Sequence, residues 1–253
     1  MIHETGKGGG LRAVVLVAGV ARRLYPLTES TPKCLFDVGG KAIFDFQMEA
    51  LAANGVRDVV LVVGYRREQI LEHAAHRHPG MRFTPVVNHR FFETNTSYSL
   101  WLAGEEFEGR DFVYLNGDVL FEPRLLERVV KGPAPASLAV EKKPCGDEEV
   151  KVITDGGDRI VRIGKDLPHK ESLGEFVGVA RFDAPITGAF RKALGELVAG
   201  GRQNDYFEAA LARMAPTETL RFVDVSDLPV IEIDFPSDLD NARKKVLARF
   251  GKG

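Results

Sequence analysis

Residues 16–35 read LVAGVARRLYPLTESTPKCL and join an apolar strand to a cationic turn. The apolar run continues to Val17 without alternation, as expected for a parallel strand with both faces covered. Gly19 permits a tight turn with outward backbone N–H groups, and Arg23 and Lys33 follow. This arrangement predicts a pocket for polyphosphate; the alternative from spacing alone is a turn whose charges are simply solvated.

The segments after this loop alternate between strand and helix patterns. Residues 43–54 have helical apolar spacing ended by Gly55, and residues 58–65, DVVLVVGY, form a second apolar run. Further patterns predict helices at 68–77 and 97–106 and strands at 82–88 and 111–118. Strands that alternate with helices predict a parallel sheet with right-handed crossovers.

After Asp118 the pattern changes to short strands, at 137–143, 149–154, 159–165 and 175–182, and Gly156-Gly157 predicts a hairpin. Helices at 187–198 and 205–214, a strand at 229–234 and a helix after Pro236 follow. We therefore predict a Rossmann-like, doubly wound mixed α/β sheet with a small antiparallel hairpin region. Residues 11–253 are expected to form a single domain, and residues 1–10 a flexible tail.

Composition excludes several classes of protein. The 253 residues are 44% hydrophobic and 28% charged, which is ordinary for a globular chain, and a net charge of -2 offers no general field for nucleic acid or a membrane surface. The apolar run at 11–20 is too short to cross a bilayer. Cys34 and Cys145 lack metal-ligand spacing, so we expect a reducing cytoplasm. His73, His76 and His78 are expected on a solvated helix face.

Two aspartates end apolar strands, Asp118 in YLNGDVLF and Asp234 in VIEIDFP. Ligands of doubly wound sheets bind beyond the carboxyl ends of the strands, here near Val17, Asn116 and Asp234. Paired aspartates there suit Mg²⁺, which takes one or two protein carboxylates plus phosphate oxygens. The alternative is that each aspartate caps the structure that follows it. Glu232 should point the same way as Asp234 along an extended strand.

The segment AGVARRLYPLT followed by PKCL resembles the signature of the sugar-nucleotidyltransferase superfamily, A-G-x-G-x-R-L-x-P-L-T and P-K-x-L. Matching positions are Ala18, Gly19, Arg23, Leu24, Pro26, Leu27, Thr28, Pro32, Lys33 and Leu35. Ala21 replaces the usual second glycine, and because alanine disfavours positive φ we expect a slightly altered approach of the loop to the triphosphate.

This resemblance implies a GT-A-like nucleotidyltransferase fold and a set of roles. The loop backbone, formed by Val17, Ala18, Gly19, Val20 and Ala21, would wrap the nucleotide phosphates. Arg23 would face the triphosphate, Lys33 would contact the α-phosphate and the acceptor phosphate, and Asp118 and Asp234 would hold Mg²⁺. Cationic groups placed there offset repulsion between phosphates and stabilise the leaving pyrophosphate.

Asn88 and the segment Asn95 to Leu100 resemble the branch that transfers cytidylyl groups to phosphocholine, inositol phosphate or aminoethylphosphonate. Asn88, Ser99 and Asn116 are accordingly the expected nucleotide-binding side chains, although a helix cap is an alternative role for Ser99. Candidate acceptor-binding residues are Lys151, Glu175, Asp205 and Tyr206, with Lys165 as a further candidate phosphate contact.

The acceptor itself stays open at this point. A quaternary ammonium would need an aromatic cage, for which Tyr206, Phe207, Phe176 and Trp101 are available. A primary amine would need carboxylates, for which Asp147, Glu148, Glu175, Asp205 and Glu208 are available. The sequence does not distinguish these two kinds of acceptor. It does not determine the oligomeric state either, and it is compatible with a homo-oligomer.

We therefore predict a Mg²⁺-dependent cytidylyltransferase that joins CMP from CTP to a small phospho-alcohol or phosphonate with release of pyrophosphate. A phosphate or phosphonate oxygen is already a nucleophile, so attack needs alignment and charge neutralisation more than a general base. The alternatives are a sugar-1-phosphate uridylyl- or thymidylyltransferase and a nucleotide-binding module without turnover.

Overall fold

The computed structural model describes residues 10–250, apart from the side chains at positions 245 and 246. The tail predicted at residues 1–10 lies outside the described residues except for Gly10. The strands are β1 Arg12–Val17, β2 Asp58–Val63, β3 Arg82–Val87, β4 Phe112–Asn116, β5 Val119–Phe121, β6 Ala136–Glu141, β7 Lys151–Thr154, β8 Arg159–Gly164, β9 Gly174–Phe182, β10 Leu220–Asp224 and β11 Val230–Glu232. The α-helices are α1 Ile43–Ala53, α2 Arg67–Arg77, α3 Thr96–Leu102, α4 Gly104–Phe107, α5 Pro123–Val130, α6 Ala184–Ala199, α7 Glu208–Met214 and α8 Pro236–Asn241.

Nine of these strands form one mixed sheet in the order β3-β2-β1-β4-β9-β6-β10-β8-β7. The first four are parallel, with Val14 of β1 opposite Val60 of β2 and Tyr114 of β4, whereas β9 is antiparallel to both β4 and β6. The predicted doubly wound mixed sheet is confirmed, as is the antiparallel β7–β8 hairpin. The chain leaves β1 toward β2 on one side and returns as β4 on the other, which opens a crevice at their carboxyl ends.

Several elements differ from the prediction. The helix expected at 97–106 is divided into α3 and α4, because Ala103 departs from helical geometry and Gly104 follows it. An added Cβ at Gly104 would lie 3.0 Å from Nε of Arg191, so the close packing of α6 favours glycine there. The sequence patterns also missed β5, α5 and β10.

Alternate residues of β1 enter the two cores that cover the sheet. Ala13 and Val15 pack with residues of α1, α2 and α5, whereas Val14 and Leu16 pack with residues of α3, α6 and α7. A third, smaller cluster positions the loop after β1. It joins Leu24, Phe36, Val38, Ile43, Leu120, Ile233 and Leu239, and so fixes the arginine turn beside β5, β11 and α8.

Asp45 in α1 is a buried carboxylate that two histidines contact. Its Oδ1 lies 2.8 Å from Nε2 of His73 and 2.7 Å from Nε2 of His78, and its Oδ2 accepts a hydrogen bond from the backbone N–H of Ala42 at 3.3 Å. Burial opposes its charge, but the histidine contacts outweigh that effect and hold the pKa of Asp45 below its ordinary value. The expectation of a solvated face is therefore wrong for His73 and His78, whereas His76 is exposed.

We predict that Asp45→Ala lowers the free energy of unfolding at pH 7 by about 2–4 kcal/mol, because it leaves buried donors without an acceptor. Since the pKa of Asp45 is lower in the folded state, its stabilisation is present above the ordinary carboxyl pKa and is lost as the pH falls through the lowered value. Urea unfolding at pH 7 and near pH 3 measures both effects. The exposed His76→Ala should change stability by less than about 0.5 kcal/mol; an equally small loss in Asp45→Ala would contradict the prediction.

Candidate active site

A cleft of about 740 Å³ opens at the carboxyl ends of β1 and β4. This volume is typical of a pocket that holds a small organic ligand such as a nucleotide. The sequence-predicted site residues that line it are Val17, Ala18, Gly19, Val20, Ala21, Arg23, Lys33, Asn88, Ser99, Asn116, Asp118, Glu175, Tyr206 and Asp234. Side chains from distant parts of the chain therefore converge on one cavity.

Lys151 and Asp205 are the two predicted residues that do not line this cleft. Lys151 is fully buried, and its Nζ donates hydrogen bonds to the backbone carbonyls of Glu149 and Lys165 at the base of the hairpin. Asp205 turns toward Arg202, with 2.5 Å between its Oδ2 and Nη2 of the arginine. Neither residue lines the cleft, so their assignment to the acceptor site is corrected: Lys165 and Glu208 line the cleft instead.

The loop after β1 keeps a glycine-like conformation at Ala21. Ala21 has φ 52° and ψ 58°, in the left-handed region that costs an L-residue about 1–2 kcal/mol. Its carbonyl accepts a hydrogen bond from the backbone N–H of Leu24 at 3.0 Å, and the buried Leu24 anchors this turn. Ala21 therefore adopts positive φ despite this cost, and the altered approach of the loop to the triphosphate stays a prediction.

Gly117 allows the end of β4 to pass close to β1. A Cβ at this position would lie 2.4 Å from Cγ1 of Val17 and 2.5 Å from the carbonyl oxygen of Leu16. The backbone N–H of Gly117 also donates to that carbonyl at 3.0 Å. This close approach carries Asp118, the next residue, to the floor of the cleft.

Three carboxylates meet on that floor. Asp118, Glu232 and Asp234 each place a carboxylate oxygen within 4.8 Å of the others. The antiparallel pairing of β5 with β11 brings them together, since Glu232 lies opposite Val119. The sequence predicted Asp118 and Asp234 as a pair, and Glu232 joins them because residues two apart on a strand share a face.

Lys33 lies between two of these carboxylates. Its Nζ is 2.6 Å from Oδ2 of Asp118 and 2.9 Å from Oδ1 of Asp234. Burial opposes the charge of Lys33, but the two aspartates outweigh it and raise the pKa of the ammonium above its ordinary value. Burial likewise opposes the charge of Asp234, yet Lys33 holds the pKa of that carboxyl below its ordinary value. Both groups are therefore charged at neutral pH.

Glu232 differs from its two neighbours. Its side chain is exposed to the cleft. Desolvation by the surrounding protein, together with the charges of Asp118 and Asp234, still raises its pKa well above the ordinary value. Arg23 stands at the rim, with Nη1 3.4 Å from Oδ2 of Asp234 and Nη2 3.3 Å from Oε2 of Glu148. Its guanidinium also lies 5.2 Å from the ring centre of Phe235.

The carboxylate cluster fits a divalent cation. Oδ1 of Asp118 is buried and has no hydrogen-bond partner among the described residues, so one hard oxygen ligand is free of other contacts. Carboxylate oxygens are the ligands that small divalent cations prefer, and Asp234 and Glu232 supply more of them at the required spacing. The predicted pair of metal ligands, Asp118 and Asp234, therefore lies in a suitable arrangement.

The predicted nucleotide side chains Asn88 and Ser99 form a network beside the phosphate loop. The Nδ2 of Asn88 donates to Oγ of Ser99 and to Oγ1 of Thr94, both at 3.0 Å, and its Oδ1 accepts from the backbone N–H of Arg90 at 2.8 Å. The cap of α3 is Asn95, whose side chain accepts from the N–H of Thr96 at 2.8 Å. The alternative that Ser99 caps the helix is therefore excluded.

These features together define a site for a nucleoside polyphosphate and a divalent cation, built at the crossover of a doubly wound sheet. Residues 12–141, about half of the chain, match the nucleotidyl transferase family, and the chain belongs to that family. Among the described residues, no helix has both the length and the apolar character needed to cross a membrane.

Curated relatives and a solved structure agree with this assignment. The chain is 34% identical over 238 residues to CMP-5'-(3-aminopropyl)phosphonate synthase of Streptomyces rubellomurinus, covering 90% of this chain but 37% of that longer protein. It is 28% identical to choline-phosphate cytidylyltransferase of Streptococcus pneumoniae, covering 78% of this chain and 81% of that protein. The inositol-1-phosphate CTP transferase structure from T. maritima has the same fold, with a TM-score of 0.76, 24% identity, and coverage of 94% and 98%.

Proposed function

We propose that this protein is a cytidylyltransferase that transfers CMP from CTP to a small phospho-alcohol or phosphonate. The observation that carries the proposal is the position of Lys33, held between Asp118 and Asp234 at the end of the phosphate loop. The relatives named above are a phosphonate CMP synthase and a choline-phosphate cytidylyltransferase, which supports both CTP and the acceptor class.

The reaction requires alignment of two phosphorus groups. An acceptor oxygen attacks the α-phosphorus of CTP, the new P–O bond forms as the bond to the bridging oxygen breaks, and pyrophosphate leaves in line. Lys33 neutralises the α-phosphate and the acceptor, while Arg23 stabilises charge on the leaving pyrophosphate. The outward N–H groups around Gly19 would hold the remaining phosphate oxygens.

Asp118 and Asp234 would hold Mg²⁺, with Glu232 beside them. A bound Mg²⁺ would act as a Lewis acid that neutralises charge on the α-phosphate and orients the triphosphate. Ser99 and Asn116 would contact the nucleoside, since a hydroxyl and an amide match the donors and acceptors of cytosine. Asn88, the third predicted nucleotide-binding residue, would hold Ser99 in place through its hydrogen bond. A single domain over 11–253 and a cytoplasmic location belong to the same proposal, which is compatible with a homo-oligomer.

A substrate panel tests this proposal. Pyrophosphate release is measured with CTP, UTP, dTTP, ATP and GTP against 2-aminoethylphosphonate, phosphocholine, inositol 1-phosphate and glucose 1-phosphate. We expect CTP to be preferred by at least about tenfold, equivalent to about 1.4 kcal/mol of differential binding, with one of the first three acceptors. Preference for UTP or dTTP with glucose 1-phosphate would favour a sugar-1-phosphate enzyme, and nucleotide binding without release in any pair would favour a module without turnover.

A further inference from the structure

The side of the cleft formed by the β7–β8 hairpin, β9 and the start of α7 is rich in carboxylates. Five of them line it, against the two ammonium groups of Lys143 and Lys165; the five are Glu141, Glu148, Glu149, Glu175 and Glu208. Lys143 is already paired, with its Nζ 2.5 Å from Glu175 and 2.9 Å from Glu141. Arg23 also reaches Glu148, with 3.3 Å between Nη2 and Oε2, so five carboxylates face three cationic side chains and the hairpin side is net negative.

Among the described residues, Glu208 is the carboxylate on this side with no hydrogen bond or ion pair to another residue. Its side chain lines the cleft yet is only 5% exposed, and its Oε2 is buried without a hydrogen-bond partner among the described residues. The preceding residue fixes its position, because Phe207 is fully buried against Tyr114 and its backbone N–H donates to Oγ1 of Thr96 at 2.9 Å. A buried acceptor held rigidly without a donor is costly unless a ligand supplies one.

The aromatic residues do not form a cage for a quaternary ammonium. Phe176 is 2% exposed and Phe207 is fully buried, and both pack in the core. Trp101 does not line the cleft and stacks near Tyr98. The ring of Tyr206 is exposed, but Nζ of Lys165 lies 4.7 Å from its centre and so occupies the position that a ligand cation would need.

We propose that Glu208 forms an ammonium subsite and that the acceptor bears a primary ammonium at the end opposite its phosphonate or phosphate. This inference rests on the proposed function and specifies its acceptor. A primary ammonium has three N–H donors that can satisfy a buried carboxylate, whereas a quaternary ammonium has none. A polyol would leave the negative charge of the hairpin side without a counter-ion.

The protonation of Glu208 agrees with this role. Burial raises its pKa to about 7, and its own backbone N–H and the ammonium of Lys165 oppose the rise. Without a ligand, burial disfavours the ionised form of Glu208. A bound ammonium would stabilise that ionised form. Such a residue lowers the stability of the unliganded protein but contributes to ligand binding.

The acceptor test compares three compounds at fixed CTP, namely 2-aminoethylphosphonate, propylphosphonate, which has a methyl group in place of the ammonium, and phosphocholine. We expect kcat/KM to favour 2-aminoethylphosphonate over propylphosphonate by about 10³-fold. Glu208→Gln should lower kcat/KM for 2-aminoethylphosphonate by about 10²-fold, mainly through KM, and leave the value for propylphosphonate within about threefold. Glu72→Gln, an exposed matched control on α2, should change neither.

Thermal unfolding separates a binding role from a structural one. A carboxyl whose folded pKa is raised destabilises the fold as the pH rises through that value, so Glu208→Gln should raise Tm at pH 8 by about 5 °C and leave it nearly unchanged at pH 5. A lower Tm at pH 8 would overturn the proposal, because it would make Glu208 a structural residue.

The kinetic outcomes test the ammonium subsite separately from the cytidylyltransferase activity. Equal kcat/KM for 2-aminoethylphosphonate and propylphosphonate, or a preference for phosphocholine, would overturn the ammonium subsite while leaving the cytidylyltransferase intact. Absence of pyrophosphate release with every acceptor would instead contradict the proposed function, and the ammonium subsite with it. Unchanged discrimination in Glu208→Gln would also overturn the assignment of that residue.

Discussion

Asp118→Asn is expected to lower kcat/KM by about 10³-fold, since a bound cation supplies several kcal/mol of charge stabilisation in phosphoryl chemistry. Asn keeps the shape of the side chain but removes the charge that attracts both Lys33 and a divalent ion. Lys33 keeps its contact with Asp234 in this variant, so the fold should be retained. Steady-state kinetics and a Tm within a few degrees of wild type would together show a local defect.

Asp240→Asn is the matched control, because Asp240 is an exposed aspartate on α8. It should retain wild-type kcat/KM. Titration calorimetry with Mg²⁺ and CTP should show weakened metal binding in Asp118→Asn and normal binding in the control. Normal metal affinity or retained turnover in Asp118→Asn would remove this residue from the metal site.

Lys33→Met is expected to have two opposite effects. Turnover should fall by about 10²–10³-fold, because the reacting phosphates lose a cation that is positioned in advance. Affinity for Mg²⁺ without nucleotide should rise by about tenfold, since the Lys33 ammonium lies within 2.9 Å of both aspartates and competes with any cation that binds them. A decrease in both quantities would contradict this arrangement.

Lys41→Met provides the control for the loss of a lysine. Lys41 pairs with Glu49 on the surface, with 2.6 Å between Nζ and Oε2, and lines no part of the cleft. Surface pairs of this kind contribute about 0–1 kcal/mol, so the variant should match wild type in turnover and in metal affinity. Loss of activity there would indicate a nonspecific effect of removing a charge.

The first half of the fold was predictable because its signals are local. The continuous apolar runs of β1 and β2 and the glycine that ends α1 are properties of single segments. The sites at Lys33, Asp118 and Asp234 were predictable from a motif and from the rule that ligands bind at strand ends. Glu232 followed from strand periodicity alone.

The missed features depend on tertiary contacts. Nothing in the spacing of Lys151 shows that its ammonium would meet two backbone carbonyls inside the hairpin. The pairing of Asp45 with His73 and His78 likewise joins residues about thirty positions apart. Glu208 belongs to an ordinary helical pattern, and its significance came only from its burial without a partner.

Transfer of CMP from CTP to the phosphonate oxygen of an acceptor with a primary ammonium can be followed by ³¹P NMR of a single reaction. The protein is incubated with CTP, Mg²⁺ and 2-aminoethylphosphonate. We predict that two coupled resonances of a phosphonate–phosphate anhydride and one equivalent of pyrophosphate replace the starting signals. Unchanged CTP and phosphonate resonances, or hydrolysis to free CMP without the anhydride, would contradict the account.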